Sequence, residues 1–231
     1  MLTLAFDTCS KTAAVAVLHD DTILYDSIIN TGLNHSEVLM PQIDYALRQV
    51  RIKISDIDLF VCTIGPGSFT GLRIGVSTLK GLMLATGKPA CGVSTLAAVA
   101  LNVGTTSKLI CSMIDAGRGQ VYVTYFRYNE KNILQQIREE KAVNPQEIIN
   151  NADENTLFVG DGIIKYAEII KSSKSPEVYI ASDLQNYIRA SAVGILGRKK
   201  LADNDLLDAS TLVPVYLRSA DALPHKSIFT T

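Results

Sequence analysis

Three short apolar, β-prone runs open the chain at residues 2–7, 13–19 and 22–29, and the polar pairs Ser10-Lys11 and Asp20-Asp21 between them predict a meander. The pattern then changes period. Leu39, Ile43, Ala46, Leu47 and Val50 recur at helical spacing, and Asn34 with Glu37 three residues on has the form of a capping box, so a helix is predicted from Asn34. Pro41 should kink it, because proline removes one backbone donor. An apolar strand, Asp58 to Ile64, precedes a glycine-rich turn from Gly65 to Gly71, which runs straight into a second helix ending near Thr86. Pro89 to Val93 predicts another strand, Ser94 caps a further helix, and Asn-Val-Gly-Thr-Thr-Ser at 102–107 is the best place for a boundary.

Beyond that boundary the first half is repeated. Leu109 to Ile114, Gln120 to Tyr128 and Ile133 to Glu140 are again three strands, with Asp115 standing where Asp7 stands in the first copy. A helix capped by Asn144 opens at Pro145; then Leu157-Phe158-Val159 leads into Gly160-Asp161-Gly162, as Leu59-Phe60-Val61 leads towards Gly65-Pro66-Gly67. Two copies of βββ-α-β-α predict an α/β fold of two lobes, the plan of the actin, hexokinase and Hsp70 (ASKHA) superfold. The expected division is 1–102 for the first lobe, 108–207 for a smaller second lobe, and 208–231 for a segment whose apolar run Val213 to Leu217 points back to the first lobe. In that superfold an aspartate at each first β-turn faces a cleft holding ATP and a metal, which makes Asp7 and Asp115, with Thr8, Gly65 and Gly67, the candidates for residual nucleotide binding.

Composition narrows the function. Of 231 residues 47% are hydrophobic and 19% charged, as in a globular protein, and the formal net charge of −1 excludes a strong positive field for nucleic acid. Arg198-Lys199-Lys200 is the one basic cluster, and it ends a predicted helix, where cations complement the dipole. Cys9, Cys62, Cys91 and Cys111 are far apart and read as reduced and buried. Asp7 interrupts the opening run before a signal-peptide core forms, and no apolar run approaches the length of a membrane span, so a cytoplasmic location is expected.

The strongest local signal is the run from Gly65 to Gly75, Gly-Pro-Gly-Ser-Phe-Thr-Gly-Leu-Arg-Ile-Gly, which empties into a helix start. Glycines there suit either a phosphate, held by free N–H groups, or a tight structural turn; neither the Walker A spacing nor its lysine is present. On the helix that follows, Leu72, Val76, Leu79 and Met83 form one apolar stripe, while Gly71, Gly75, Thr78, Gly81 and Ala85 form a small-residue face that fits either packing within the lobe or a helix of another subunit. His19, His35 and His225 are isolated, no zinc spacing occurs, and Ser68 and Thr70 have no evident base, so neither a catalytic residue nor a metal site is expected.

Leu4-Ala5-Phe6-Asp7-Thr8, Asn34-His35-Ser36-Glu37, the run from Gly65 to Gly75, Gly92-Val93-Ser94-Thr95-Leu96, Gly119-Gln120-Val121-Tyr122 and Pro214-Val215-Tyr216-Leu217-Arg218 together resemble the TsaB (YeaZ) family. The resemblance implies a non-catalytic subunit for N6-threonylcarbamoyladenosine formation on tRNA. Such a subunit pairs with TsaD, the threonylcarbamoyltransferase of the glycoprotease superfamily, and works with the ATPase TsaE. It implies contact through residues 35–50 and 71–86, with His35, Leu39, Gly71, Arg73, Gly75, Thr78 and Gly81 as partner-binding residues, and a homodimer when the chain is alone. Where TsaD carries a metal motif, this chain reads Ser94-Thr95-Leu96-Ala97-Ala98, so no metal and no cofactor of its own is expected. ATP or ADP would then belong to the complex with TsaD and TsaE; tRNA would be met only indirectly, and a membrane not at all. The competing expectation is an actin-fold enzyme, either a kinase or a metallopeptidase.

Overall fold

The computed structural model describes residues 1–150, 155–172 and 178–218. His225 and residues 219–231 of the expected C-terminal segment lie outside them.

The first half runs β1 (Leu2–Asp7), β2 (Ala13–His19), β3 (Thr22–Ile29), α1 (His35–Gln49), β4 (Leu59–Gly65), α2 (Phe69–Thr86), β5 (Ala90–Ser94) and α3 (Thr95–Leu101). The second runs β6 (Leu109–Gly117), β7 (Gln120–Tyr128), β8 (Leu134–Gln136), β9 (Lys141–Val143), α4 (Pro145–Asn150), β10 (Thr156–Val159), α5 (Asp161–Lys171), β11 (Val178–Ile180) and α6 (Ala190–Ala202). Their sheets share one topology. In the first, the order is β3-β2-β1-β4-β5, antiparallel through the meander and parallel from β1 to β5; in the second, β8-β7-β6-β10-β11 repeats it. The repeated Leu-Phe-Val triplets occupy equivalent strands: Phe60 lies beside Leu4 of β1 and Phe158 beside Cys111 of β6.

Two local expectations come out differently. The Asn34 side chain does not cap α1; its Nδ2 donates to Glu37 Oε1 at 2.5 Å, and the helix continues through an exposed Pro41, where water can satisfy the freed carbonyl. The run Ile133 to Glu140 is not one strand. Phe126 faces Gln136 and Val123 faces Lys141, so three steps along β7 match five along its partner, and the excess splits the partner into β8 and β9.

Each half's last helix packs under the other half's sheet. Ser94 caps α3 by accepting the Ala97 N–H at 3.2 Å, and the Ser112 hydroxyl of β6 donates to Leu96 O at 2.8 Å. Helix α6 falls within the expected second lobe of 108–207, yet it lies across β1, β2, β4 and β5 of the first sheet. Its small residues decide this: a Cβ on Gly194 would stand 2.6 Å from Leu18 Cδ1, and one on Gly197 2.3 Å from Val61 Cγ1. The core between the sheets is therefore shared by both halves, with Ala5, Val61, Leu96, Ile110, Phe126 and Val193 in one cluster. A second cluster joins the far side of the first sheet to α1 and α2, and a third joins the second sheet to α4 and α5. Among the described residues no helix is long and apolar enough to cross a membrane.

Candidate functional site

Both first turns and the glycine-rich turn meet at one cleft of about 790 Å³. Its walls are Cys9 to Lys11 after β1, Gly67 to Phe69 before α2, His35 and Arg73 from the two outer helices, Asp115 to Gly117 at the end of β6, and Asp161 at the start of α5. Tyr216 and Arg218 close one side.

The first-turn aspartates are both engaged within the chain, in different ways. Asp7 is fully buried, and its Oδ1 accepts from the Thr63 hydroxyl at 2.5 Å and the Cys9 N–H at 3.1 Å, while Oδ2 has no partner among the described residues. Burial raises its pKa, opposed in part by the Thr63 hydrogen bond. Asp115 binds Lys165 Nζ through both oxygens, at 2.8 and 2.9 Å, and Oδ1 also accepts the Gly117 N–H at 3.0 Å. Asp161, whose Oδ1 accepts the Asp115 N–H at 3.0 Å, is pushed up to about 6 by burial. Sequence reasoning passed over both Lys165 and Asp161, although their spacing places them one turn apart on α5.

On its inner side the glycine-rich turn packs against its own chain. Ser68 N–H donates to Cys9 O at 2.7 Å, and Thr8 Oγ1 donates to Gly71 O at 2.7 Å. A Cβ on Gly67 would lie 2.4 Å from Cys9 O, and one on Gly65, at φ +131°, 2.3 Å from Val215 O. At Gly65 and Gly67 the backbone thus comes close to its own chain, an approach that the missing Cβ atoms allow. In the second half Gly160 is in the same position, its absent Cβ 2.1 Å from Met113 O. Among the described residues there is no group of three or more His, Cys, Asp or Glu that could hold a metal ion.

The expected partner-binding residues separate into two sets. Leu39, Gly71 and Gly75 face inward. Leu39 is in the core between α1 and the first sheet, while Cβ atoms on Gly71 and Gly75 would strike Thr8 O at 1.9 Å and Thr8 Oγ1 at 2.6 Å. The small-residue face is therefore divided, because its N-terminal part is what lets α2 sit against the end of β1. His35 is half-buried and ties α1 to the first turn, its Nε2 2.8 Å from Ser10 O. Thr78 is half-buried; Gly81 is exposed, with nothing within 4 Å of a Cβ.

Arg73 is exposed and begins a stripe, Arg73, Ser77, Gly81 and Leu84, that recurs every three or four residues along the outside of α2; Leu84 is 78% exposed. The Arg73 guanidinium lies 4.0 Å above the Phe69 ring, which stacks on Tyr216 at 4.7 Å. Helix α1 adds Met40 and Tyr45, each about half exposed.

Comparison with known proteins agrees with this architecture. A family model described as TsaD: tRNA N6-adenosine threonylcarbamoyltransferase matches residues 30–225. The chain is 32% identical to the tRNA threonylcarbamoyladenosine biosynthesis protein TsaB of Bacillus subtilis, over 96% of both chains. YeaZ from Pseudomonas aeruginosa superposes with a TM-score of 0.76 at 23% identity, over 93% of this chain and 100% of that one. The Acidaminococcus fermentans (R)-2-hydroxyglutaryl-CoA dehydratase component A gives 0.54 at 12% identity, over 87% and 99%. The fold is thus the two-lobed ASKHA fold expected from the repeat.

Proposed function

Because this chain belongs to the TsaB (YeaZ) family, we propose that it serves the biosynthesis of threonylcarbamoyladenosine in tRNA as a non-catalytic subunit that binds TsaD. The observation that carries this reading is the contrast between the cleft and the outer face of the first lobe. The groups an actin-fold enzyme would need are engaged within the chain: Asp7 is fully buried, with Oδ1 held by Thr63 and Cys9, Asp115 is paired with Lys165, and the glycines pack on backbone. Meanwhile α2 turns Leu84 fully outward and α1 exposes Met40 and Tyr45, apolar surface that a partner can cover. Arg73, Thr78 and Gly81 remain on the accessible side of α2 and belong to this contact; Leu39, Gly71 and Gly75 support it from beneath by shaping the helix pair.

In this role the chain uses no cofactor of its own; ATP or ADP acts in the complex, where TsaE supplies the ATPase. Alone, the chain covers the same face by pairing with a second copy. tRNA is met through TsaD, in keeping with a net charge of −1, which gives phosphate backbones little to bind.

The test is size-exclusion chromatography with light scattering, using this protein alone and mixed with TsaD. A new peak of heterodimer mass is expected, and Leu84→Glu should weaken pairing at least tenfold, about 1.4 kcal/mol, with an unchanged melting temperature. Two unchanged peaks, or phosphoryl transfer from ATP by the isolated chain, would overturn the reading.

A further inference from the structure

Residues 212–218 cross from one half of the molecule to the other. Leu212 is buried in the cluster between the first sheet and its outer helices, whereas Leu217 packs against the cluster shared by both sheets. Between these anchors the backbone follows the glycine-rich turn: the Val215 N–H donates to Ile64 O at 2.7 Å, and Val215 O lies against Gly65. Tyr216 then stacks on Phe69, with its hydroxyl 3.4 Å from Arg73 Nε. Finally Arg218 Nη1 donates to Ala116 O at 2.9 Å, at the second half's first turn. Three extended steps cover about 10 Å, so attachments at Val215 and Arg218 reach from one lip of the cleft to the other.

We infer that this segment is a strap coupling the exposed face of α2 to the first turn of the second half. Arg73 stands at the head of the exposed stripe and also touches Tyr216 and Phe69, so a protein seated on α2 changes the packing of the Tyr216 ring. A single residue, Leu217, separates Tyr216 from Arg218, and it packs partly buried against the shared core, so the short connection leaves the motion little slack. Occupation of the outer face is thereby transmitted to Ala116 and Gly117 without any contact there. The strap relays occupation of the surface proposed for TsaD, and in that respect it rests on that reading; its own mechanics do not.

Hydrogen–deuterium exchange read by mass spectrometry tests it in two arms. In the protein alone, Tyr216→Ala should raise exchange at residues 116–119, to which Tyr216 makes no hydrogen bond among the described residues, at least fivefold. Arg218→Ala should do the same at residues 66–70. Changes confined to each residue's own neighbours would overturn the strap, whatever TsaD does. In the second arm, TsaD added to the wild type should alter exchange at 116–119, and Tyr216→Ala should still form the complex while losing most of that change. A complex whose formation leaves 116–119 unaltered, or alters them equally in Tyr216→Ala, sinks the coupling. Failure to form any complex sinks the TsaD reading, with the strap then judged on the first arm. Circular dichroism melting confirms that both variants are folded.

Discussion

Gly65-Pro66-Gly67 and Gly160-Asp161-Gly162 hold equivalent places in the two halves, each between the repeated Leu-Phe-Val strand and a helix. Both bring the chain hard against the neighbouring first strand or the turn that leaves it: Gly67 onto Cys9 O, with Gly71 onto Thr8 O just beyond, and Gly160 onto Met113 O. They part at the middle residue. Pro66 carries no charge, and the first half's aspartate, Asp7, is buried on Thr63 and Cys9, whereas Asp161 places a carboxyl between the halves beside the Asp115–Lys165 pair. What the duplication has kept in common is a close approach of backbones; the side-chain chemistry has diverged.

The sharpest way to break this comparison is to add a methyl group. Gly71→Ala puts a Cβ 1.9 Å from a main-chain oxygen inside a helix that cannot easily shift, and it should cost roughly 3 kcal/mol in urea unfolding. A cost below about 1 kcal/mol would mean that the approach is not a constraint. The next effect depends on pH. Asp161 titrates at about 6 in the fold against about 4 unfolded, so the native state keeps a proton that the unfolded chain has lost. Stability from this group is complete below pH 4 and is lost as pH rises through 6. Compared between pH 4 and pH 7, the wild type should lose roughly 2 kcal/mol more than Asp161→Asn, which keeps an acceptor for the Asp115 N–H. Equal slopes would remove the distinction between the two turns. The smallest effect should come from Gly162→Ala. Its Cβ would be 3.1 Å from Met113 O, and the gain in helix propensity offsets the crowding, leaving a net change within about 1 kcal/mol.

The same small-residue signal had different outcomes along α2. From helical spacing alone, Gly71, Gly75, Thr78, Gly81 and Ala85 are one face, but whether a glycine admits a strand beneath it or a partner above it depends on where the sheet lies. Gly75 is therefore a poor place to probe association: a larger residue there strikes Thr8 and Cys62, so folding and binding would be lost together. Leu84 separates the two effects.

Periodicity and repetition along the sequence were enough to determine two βββ-α-β-α halves, the positions of both first-turn aspartates, the capped start of α3 and the burial of all four cysteines, because each follows from local spacing. Only the tertiary structure decided that α6 belongs under the first sheet, that Lys165 neutralises Asp115, that the glycine-rich turn packs on Cys9 and Val215, and that residues 212–218 bridge the cleft. The physical reason is range. Hydrophobic period and turn chemistry act over a few residues, but which neighbour fills a gap left by a missing Cβ, or pairs with a carboxylate, depends on segments about 50 to 150 positions away that meet only when the sheets are packed.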